Sequence, residues 1–217
     1  MRPERPLVSH SVCDMTKAII AQDLAVELSG NPILSGLHLT AAPGEIVTIT
    51  GQNGVGKSTL LRCLAGLLPP AAGKLAVMDG PPSDEPAFWR DVALVADEPA
   101  WYPGLTVREH LKLMAAVHHR PRLTAERALE LFDLAERADM APLRLSTGQQ
   151  QRLSLAMGLT RPSRILLLDE PERGLDADFR VRLGEILTEY AAEGGTVVMV
   201  THDLQLAQVA GARRIDL

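Results

Sequence analysis

A glycine-rich loop followed by a helix-forming segment constrains this sequence more than any other feature. Positions 51–58 read GQNGVGKS and fit the pattern G-x-x-x-x-G-K-[ST] in full. The loop follows a short β-branched stretch at 45–50, and leucines recur at helical spacing after it. Such a loop points its backbone amides inward at phosphate oxygens, and the following helix directs its positive end at the same anion. Strand, loop and helix in this order therefore predict an α/β domain that binds a phosphorylated ligand.

The loop also predicts which groups meet the phosphates. The Lys57 ammonium would neutralise the β- and γ-phosphates of a nucleotide, and the Ser58 hydroxyl would ligate Mg²⁺. The expected nucleotide contacts are Gly51, Gln52, Asn53, Gly54, Val55, Gly56, Lys57, Ser58 and Thr59. By itself the loop leaves kinases, GTPases and many ATPases open.

The segment ILLLDEP at 165–171 is a second candidate part of the site. Its continuous apolar run predicts a strand that is buried on both faces. Asp169 and Glu170 then lie at the carboxyl end of that strand, where open α/β sheets bind their ligands. Asp169 would hold Mg²⁺, directly or through water. Glu170 would accept a proton from the attacking water or orient that water.

Hydrophobic periodicity outlines the rest of the chain. Further strands are predicted at 18–28, 33–39, 74–78, 92–96 and 196–200, and mostly helical structure at 106–159 and 178–192. A turn signal separates the first two strands, which indicates an antiparallel pair. The chain therefore reads as an α/β parallel-sheet core, with an N-terminal antiparallel β subdomain and an inserted helical subdomain at roughly 97–160. Residues 1–17 read as a flexible N-terminal tail.

Residues 145–149 read LSTGQ, and this segment narrows the classes that the loop left open. It resembles the LSGGQ signature of the ABC-type ATPases, with Thr147 in place of the first glycine. The resemblance covers 18–217, the expected ABC ATPase domain, and implies a P-loop NTPase (RecA-like) fold. In that family a serine and a glycine amide at a helix start meet the γ-phosphate held by the opposite subunit. Ser146 and Gly148 match those positions, and Gln149 completes the expected contact segment.

Two later segments resemble the family in the expected order. Residues 171–176, PERGLD, look like its D-loop between two subunits, and Asp176 matches the aspartate of that loop. Residues 201–203 look like its switch region, where His202 would contact the γ-phosphate and Glu170. Taken alone, a histidine after a buried strand is more often a surface residue. The resemblance thus implies Lys57, Glu170 and His202 as catalytic residues, with ATP and Mg²⁺ as cofactors.

Two positions depart from the family pattern. Asp97 stands where the family usually has a glutamine, and its carboxylate would either bind Mg²⁺ or its water, or lie in a solvated loop. Leu28 stands where the family commonly stacks an aromatic ring on adenine, so an apolar contact remains without stacking. The sequence therefore predicts relaxed base specificity, with GTP or other nucleotides accepted.

Composition bears mainly on partners and location. The net charge of −5 and the pI near 5.7 argue against a general nucleic-acid surface, so no nucleic-acid partner is expected. Cys13 and Cys63 lack metal-ligand spacing and read as free thiols in a reducing compartment. No apolar stretch is long enough to span a bilayer, and no secretory signal is present. The expected location is cytoplasmic, peripheral on the inner face of the cell membrane through a partner.

The expected function is that of the ATP-binding and ATP-hydrolysing subunit of an ABC transporter, with a separate membrane-spanning permease subunit as partner. The sequence stops soon after His202, without the C-terminal regulatory domain of many importers, so export is the expected direction. Trp101 and Tyr102 would either anchor the membrane partner or pack in the core. One chain carries both half-sites, which fits a homodimer or a paired ATPase subunit. The alternative is a soluble ABC ATPase that acts on nucleic acid or ribosomes.

Overall fold

The structure of this chain is a computed structural model that describes residues 17–78, 80–96, 101–118 and 120–217. In chain order its strands are β1 (Ile19–Leu28), β2 (Asn31–Ala41), β3 (Ile46–Thr50), β4 (Ala72–Val77), β5 (Val92–Val95), β6 (Ile165–Asp169), β7 (Thr196–Val200) and β8 (Arg213–Asp216). Its helices are α1 (Lys57–Leu64), α2 (Pro86–Asp91), α3 (Val107–Val117), α4 (Ala125–Leu131), α5 (Thr147–Thr160), α6 (Ala177–Ala192) and α7 (Leu204–Val209).

The strands form two sheets of different kinds. Three strands make an antiparallel sheet in the order β2-β1-β4, and five make a parallel sheet in the order β5-β6-β7-β3-β8. Every residue of β3 and β7 is buried, as expected for central strands covered on both faces. Because β6, β7 and β3 are neighbours and parallel, the loops that follow them meet at one edge of the sheet.

A group of helices lies between β5 and β6 in the chain. Helix α3 packs against α4 and α5, and all three share one apolar core with the parallel sheet. Thr106 caps α3 through a reciprocal hydrogen-bond pair with Glu109, and Thr124 caps α4. The described residues contain no helix that combines the length and the apolar composition needed to cross a bilayer.

Trp101 and Tyr102 lie beside α3 and differ in environment. Trp101 is partly buried against the core and meets the buried His110 ring edge-on, with centroids 5.8 Å apart. The Tyr102 backbone amide donates to His110 Nε2 at 2.9 Å, but 56% of Tyr102 is exposed. Trp101 is therefore a packing residue, and Tyr102 is the one of the pair that a partner can reach.

The predicted fold class is confirmed, and three short elements were not anticipated. Helix α2 was not predicted, and it starts at Pro86, a residue suited to the first turn of a helix. Helix α7 and strand β8 were also not predicted. Cys63 is buried in α1, where burial raises the pKa of its thiol to about 11. Cys13 and the predicted tail, apart from Lys17, lie outside the described residues.

Candidate functional site

The glycine-rich loop runs from the end of β3 into the first turn of α1. Gly56 caps α1 with a φ of 107°, in the left-handed region that glycine enters without strain. A Cβ atom at this position would lie 2.8 Å from side-chain carbons of Ile33 and Leu34. The local structure therefore requires a glycine both for its backbone angle and for the close approach of β2.

Lys57 is held inside the curve of the loop. Its Nζ donates to the carbonyl oxygens of Gly51 at 3.0 Å and Gln52 at 2.9 Å, and the residue is only 6% exposed. An ammonium group has three N–H donors, so two carbonyls leave one donor for a further acceptor. The arrangement fixes a positive charge at the start of α1, where the helix dipole adds to its attraction for an anion.

A cavity of about 450 Å³ opens over this loop. Glu170 enters it from the end of β6, and Leu28 contributes from the end of β1. The residues that line it are Leu28, Ile33, Asn53, Gly54, Gly56, Lys57, Ser58, Thr59 and Glu170. Gly51, Gln52 and Val55 belong to the same loop but do not line the cavity. Ile33 was not predicted as a site residue. An isoleucine in a β-strand is ordinary, so the sequence gives no sign that it lines a cavity.

Asp169 is the last residue of β6, and Glu170 directly follows it. One carboxylate oxygen of Asp169, Oδ1, is buried and has no hydrogen-bond partner among the described residues. Such an atom is costly unless a ligand satisfies it, and a carboxylate oxygen is a preferred ligand of Mg²⁺. Glu170 follows with a φ of 47°, an unusual value for a residue other than glycine, and its amide donates to the Val200 carbonyl at 2.9 Å.

The described residues contain no cluster of three His, Cys, Asp or Glu side chains suited to a metal ion. In nucleotide sites, Mg²⁺ is commonly held by one or two protein oxygens together with phosphate oxygens. The unsatisfied oxygen of Asp169 and the Ser58 hydroxyl in the cavity fit that donor set. Asp97, the third predicted metal ligand, lies outside the described residues.

His202 follows β7 and faces Glu170. Its Nε2 lies 3.8 Å from Glu170 Oε1, and both side chains are partly exposed. The backbone amide of His202 donates to Glu172 Oε1 at 3.0 Å. The structure thus brings Lys57, Glu170 and His202 to one edge of the parallel sheet, as the positions of β3, β6 and β7 require.

The LSTGQ segment lies at the start of α5, where Ser146 and Gln149 form reciprocal hydrogen bonds. Ser146 Oγ accepts from the Gln149 amide at 3.3 Å, and Gln149 Oε1 accepts from the Ser146 amide at 3.0 Å. Gly148 packs so closely on the Gly174 carbonyl that a Cβ atom would collide with it. Neither Ser146, Gly148 nor Gln149 lines the cavity over Lys57.

Asp176 also lies away from that cavity, at the start of α6. Its Oδ1 accepts from the Phe179 amide at 2.9 Å, and its Oδ2 lies 2.5 Å from an Arg152 nitrogen. The Phe179 hydrogen bond, followed by the charge of Arg152, lowers the pKa of the Asp176 carboxyl. Arg152 in turn stacks on the Phe179 ring at 3.9 Å. These contacts tie α5 firmly to the start of α6.

Comparisons with known proteins agree on one family. A family model described as ABC transporter matches residues 34–173. An aliphatic sulfonates import ATP-binding protein of Pseudomonas entomophila is 38% identical over 92% of this chain and 72% of its own length. An sn-glycerol-3-phosphate import ATP-binding protein of Paracoccus denitrificans is 35% identical over 91% of this chain and 57% of its own length.

A protein of Salmonella choleraesuis named for 2-aminoethylphosphonate import is 36% identical over 87% of this chain, which spans 53% of that protein. The chain thus covers about half the length of the first curated relatives that it matches. Among solved structures, a dimeric bacterial ABC transporter cassette is similar with a TM-score of 0.78 and 30% identity, over 92% of this chain and 94% of the other. A second structure of that same cassette, in a dimeric post-hydrolysis state bound to ADP and Pi, gives a TM-score of 0.78 and 29% identity over the same shares.

Proposed function

Because this chain belongs to the ABC transporter family of ATP-binding proteins, we propose that it is the ATP-hydrolysing subunit of an ABC importer. The cavity over the glycine-rich loop is the observation that carries the proposal. It combines the buried Lys57 ammonium, the Ser58 hydroxyl and the Glu170 carboxylate in a space of about 450 Å³. A triphosphate needs a fixed cation and oriented amides, and hydrolysis needs a base beside it.

The residues in and beside the cavity have distinct tasks in this proposal. Lys57 and the amides at the start of α1 hold the phosphates, and Mg²⁺, when bound, neutralises charge on the β- and γ-phosphate oxygens. Ser58 and Asp169 would hold that ion. Glu170 orients water and takes its proton. His202, whose Nε2 lies 3.8 Å from Glu170 Oε1, would contact the γ-phosphate.

Hydrolysis further requires a second ATPase subunit in this proposal. Ser146 and Gly148 lie outside the cavity of their own chain, yet they form a helix start that suits an anion. A second copy would place this helix start, with Gln149 and Asp176 close behind, against the nucleotide on Lys57. One similar cassette is a dimer in two solved structures, which supports this arrangement.

The direction of transport in this proposal is import, in place of the export that the sequence predicted. The three curated relatives described above carry import in their names, for a sulfonate, a glycerol phosphate and a phosphonate. The three relatives are named for different organic anions, yet each is 35–38% identical to this chain. The degree of identity therefore does not indicate which of these anions is transported. The same relatives favour a membrane-spanning permease as partner over a soluble role on nucleic acid, and Tyr102 offers that partner an exposed ring. The subunit would then sit on the inner face of the membrane.

Two measurements test the proposal. Purified protein should release phosphate from Mg-ATP, and Lys57→Ala should abolish that release. A deletion strain should lose uptake of a radiolabelled alkanesulfonate, glycerol 3-phosphate or 2-aminoethylphosphonate, and the wild-type gene should restore it where Lys57→Ala does not. Phosphate release that is equal in wild type and Lys57→Ala would reject the ATPase, and unchanged uptake of all three compounds would reject import of these anions.

A further inference from the structure

We infer that Glu172 is a positioning residue for the switch histidine: its carboxylate holds the His202 backbone and so fixes where the imidazole stands beside Glu170. This inference rests on the proposed hydrolytic function. Glu172 lies in the turn between β6 and α6, two residues after Glu170. Glu172 belongs to neither the glycine-rich loop nor the LSTGQ segment.

The carboxylate of Glu172 is placed for one contact. Its Oε1 accepts the His202 amide at 3.0 Å, while its Oε2 is buried and has no hydrogen-bond partner among the described residues. Placing a carboxylate oxygen away from water without a partner carries a desolvation cost. Among the described residues, the hydrogen bond to the His202 amide is the side-chain contact that offsets this desolvation cost.

Residues on both sides of His202 are fixed separately. Thr201 is buried at the end of β7, and its hydroxyl accepts the Asp203 amide at 2.9 Å. Asp203 caps α7 and pairs with Arg180 at 3.2 Å. His202 itself is exposed, so Glu172 supplies the restraint on its amide. A backbone held at this point limits the imidazole to side-chain rotation.

That restraint matters because of the distance to Glu170. The 3.8 Å between His202 Nε2 and Glu170 Oε1 is longer than a hydrogen bond, which needs about 2.7–3.2 Å. A small movement of the ring closes the gap, and a small movement of the backbone makes it too wide. Glu172 thus controls the fit between His202 and the catalytic carboxylate without touching the reacting atoms.

The turn that carries Glu172 is also attached to α5. Gln151 donates to the Pro171 carbonyl at 3.2 Å, and Gly174 packs directly on Gly148. A shift of the α5 start, caused by an anion bound there, would displace this turn. The Glu172 carboxylate would pass the displacement to His202 through one hydrogen bond, linking the two half-sites within a single chain.

The test compares three replacements in the full-length protein. Glu172→Leu removes the acceptor and should lower kcat for Mg-ATP about tenfold, since losing a charge-assisted hydrogen bond of ordinary strength corresponds to that factor. KM for ATP should stay within about twofold, because no residue that lines the cavity over Lys57 changes. Glu172→Gln keeps an acceptor oxygen and should retain most of the activity. Glu185→Leu, the same change on the exposed face of α6, should leave kcat at the wild-type value.

A double-mutant cycle separates positioning from general destabilisation. In a His202→Ala background, Glu172→Leu should have no further effect on kcat, because the side chain that it positions is already gone. A full additional loss there, or wild-type kcat in Glu172→Leu, would overturn the inference. If Glu172→Leu fails to fold by circular dichroism, Glu172→Ser, which is too short to reach His202, takes its place in the same cycle. The ATPase proposal fails separately, when wild type and Lys57→Ala release phosphate equally.

Discussion

The surroundings of Lys57 and of Ser146 differ in how far their polar groups are already satisfied. Around Lys57 the chain forms a cavity that the Glu170 carboxylate lines, and among the described residues one donor of the ammonium and one oxygen of Asp169 have no partner. Around Ser146 the side chains of Ser146 and Gln149 satisfy one another, and Gly148 is packed on the next loop. The first region offers polar groups to a ligand, whereas the capping groups of the second are already paired within the chain.

Glu170→Gln tests the chemistry of the cavity and should have the largest effect. The replacement keeps size and a hydrogen-bonding oxygen but removes the proton acceptor, so kcat should fall roughly 10²–10⁴-fold. ATP binding should persist, since Lys57 and the loop amides remain. Single-turnover phosphate release with parallel binding by calorimetry measures both. Turnover at the wild-type rate would contradict the role assigned to Glu170.

Lys57→Ala tests the binding half of the same cavity. The phosphates lose a buried cation, and ATP affinity should drop by roughly 100-fold, corresponding to about 3 kcal/mol for a strong charge-assisted contact. Lys74→Ala, at an exposed lysine of β4, removes the same charge from the surface and should bind ATP as wild type does. Equal calorimetric affinities for both variants would mean that the glycine-rich loop does not hold the phosphates.

Ser146→Arg sharpens the contrast between the two regions. In a Glu170→Gln protein, unhydrolysed ATP should hold two chains together, and size-exclusion chromatography with Mg-ATP should show a dimer. Adding Ser146→Arg should remove that dimer by obstruction in the other subunit, while ATP still binds to each monomer. Ser146→Ala controls for the lost helix cap, about 1 kcal/mol, and should weaken the dimer less. A Ser146→Arg dimer of undiminished stability would show that the start of α5 does not meet the partner's nucleotide.

Leu28→Tyr probes the aliphatic wall of the cavity and should have the smallest effect. A ring that stacks on the base should tighten ATP binding by about 1 kcal/mol, or roughly fivefold. Leu67→Tyr adds the same ring at an exposed position outside the cavity and should change nothing. GTP should compete well with ATP in wild type and less well in Leu28→Tyr. Strong selection of adenine by the wild type would show that Leu28 and Ile33 already read the base.

The sequence predicted those parts that follow from local patterns. The strand β6 reads ILLL, and burial on both faces demands such a run, so the positions of Asp169 and Glu170 followed directly. Strand β8 reads RRID and is mostly exposed, so its side chains show no strand pattern. It forms a strand because its backbone pairs with β3, a contact between distant positions of the chain. The contacts of Glu172 with His202 and of Gly148 with Gly174 join distant positions, and no local pattern marks such pairs.

Glu170 has a left-handed backbone angle, with a φ of 47°. A residue with a Cβ atom in this region carries strain of about 1–2 kcal/mol, which glycine would relieve. In the proposed mechanism, the position that supplies the proton acceptor is therefore one where a single substitution to glycine would stabilise the protein. The proposed role of Glu170 in turnover therefore opposes a gain in stability at this position.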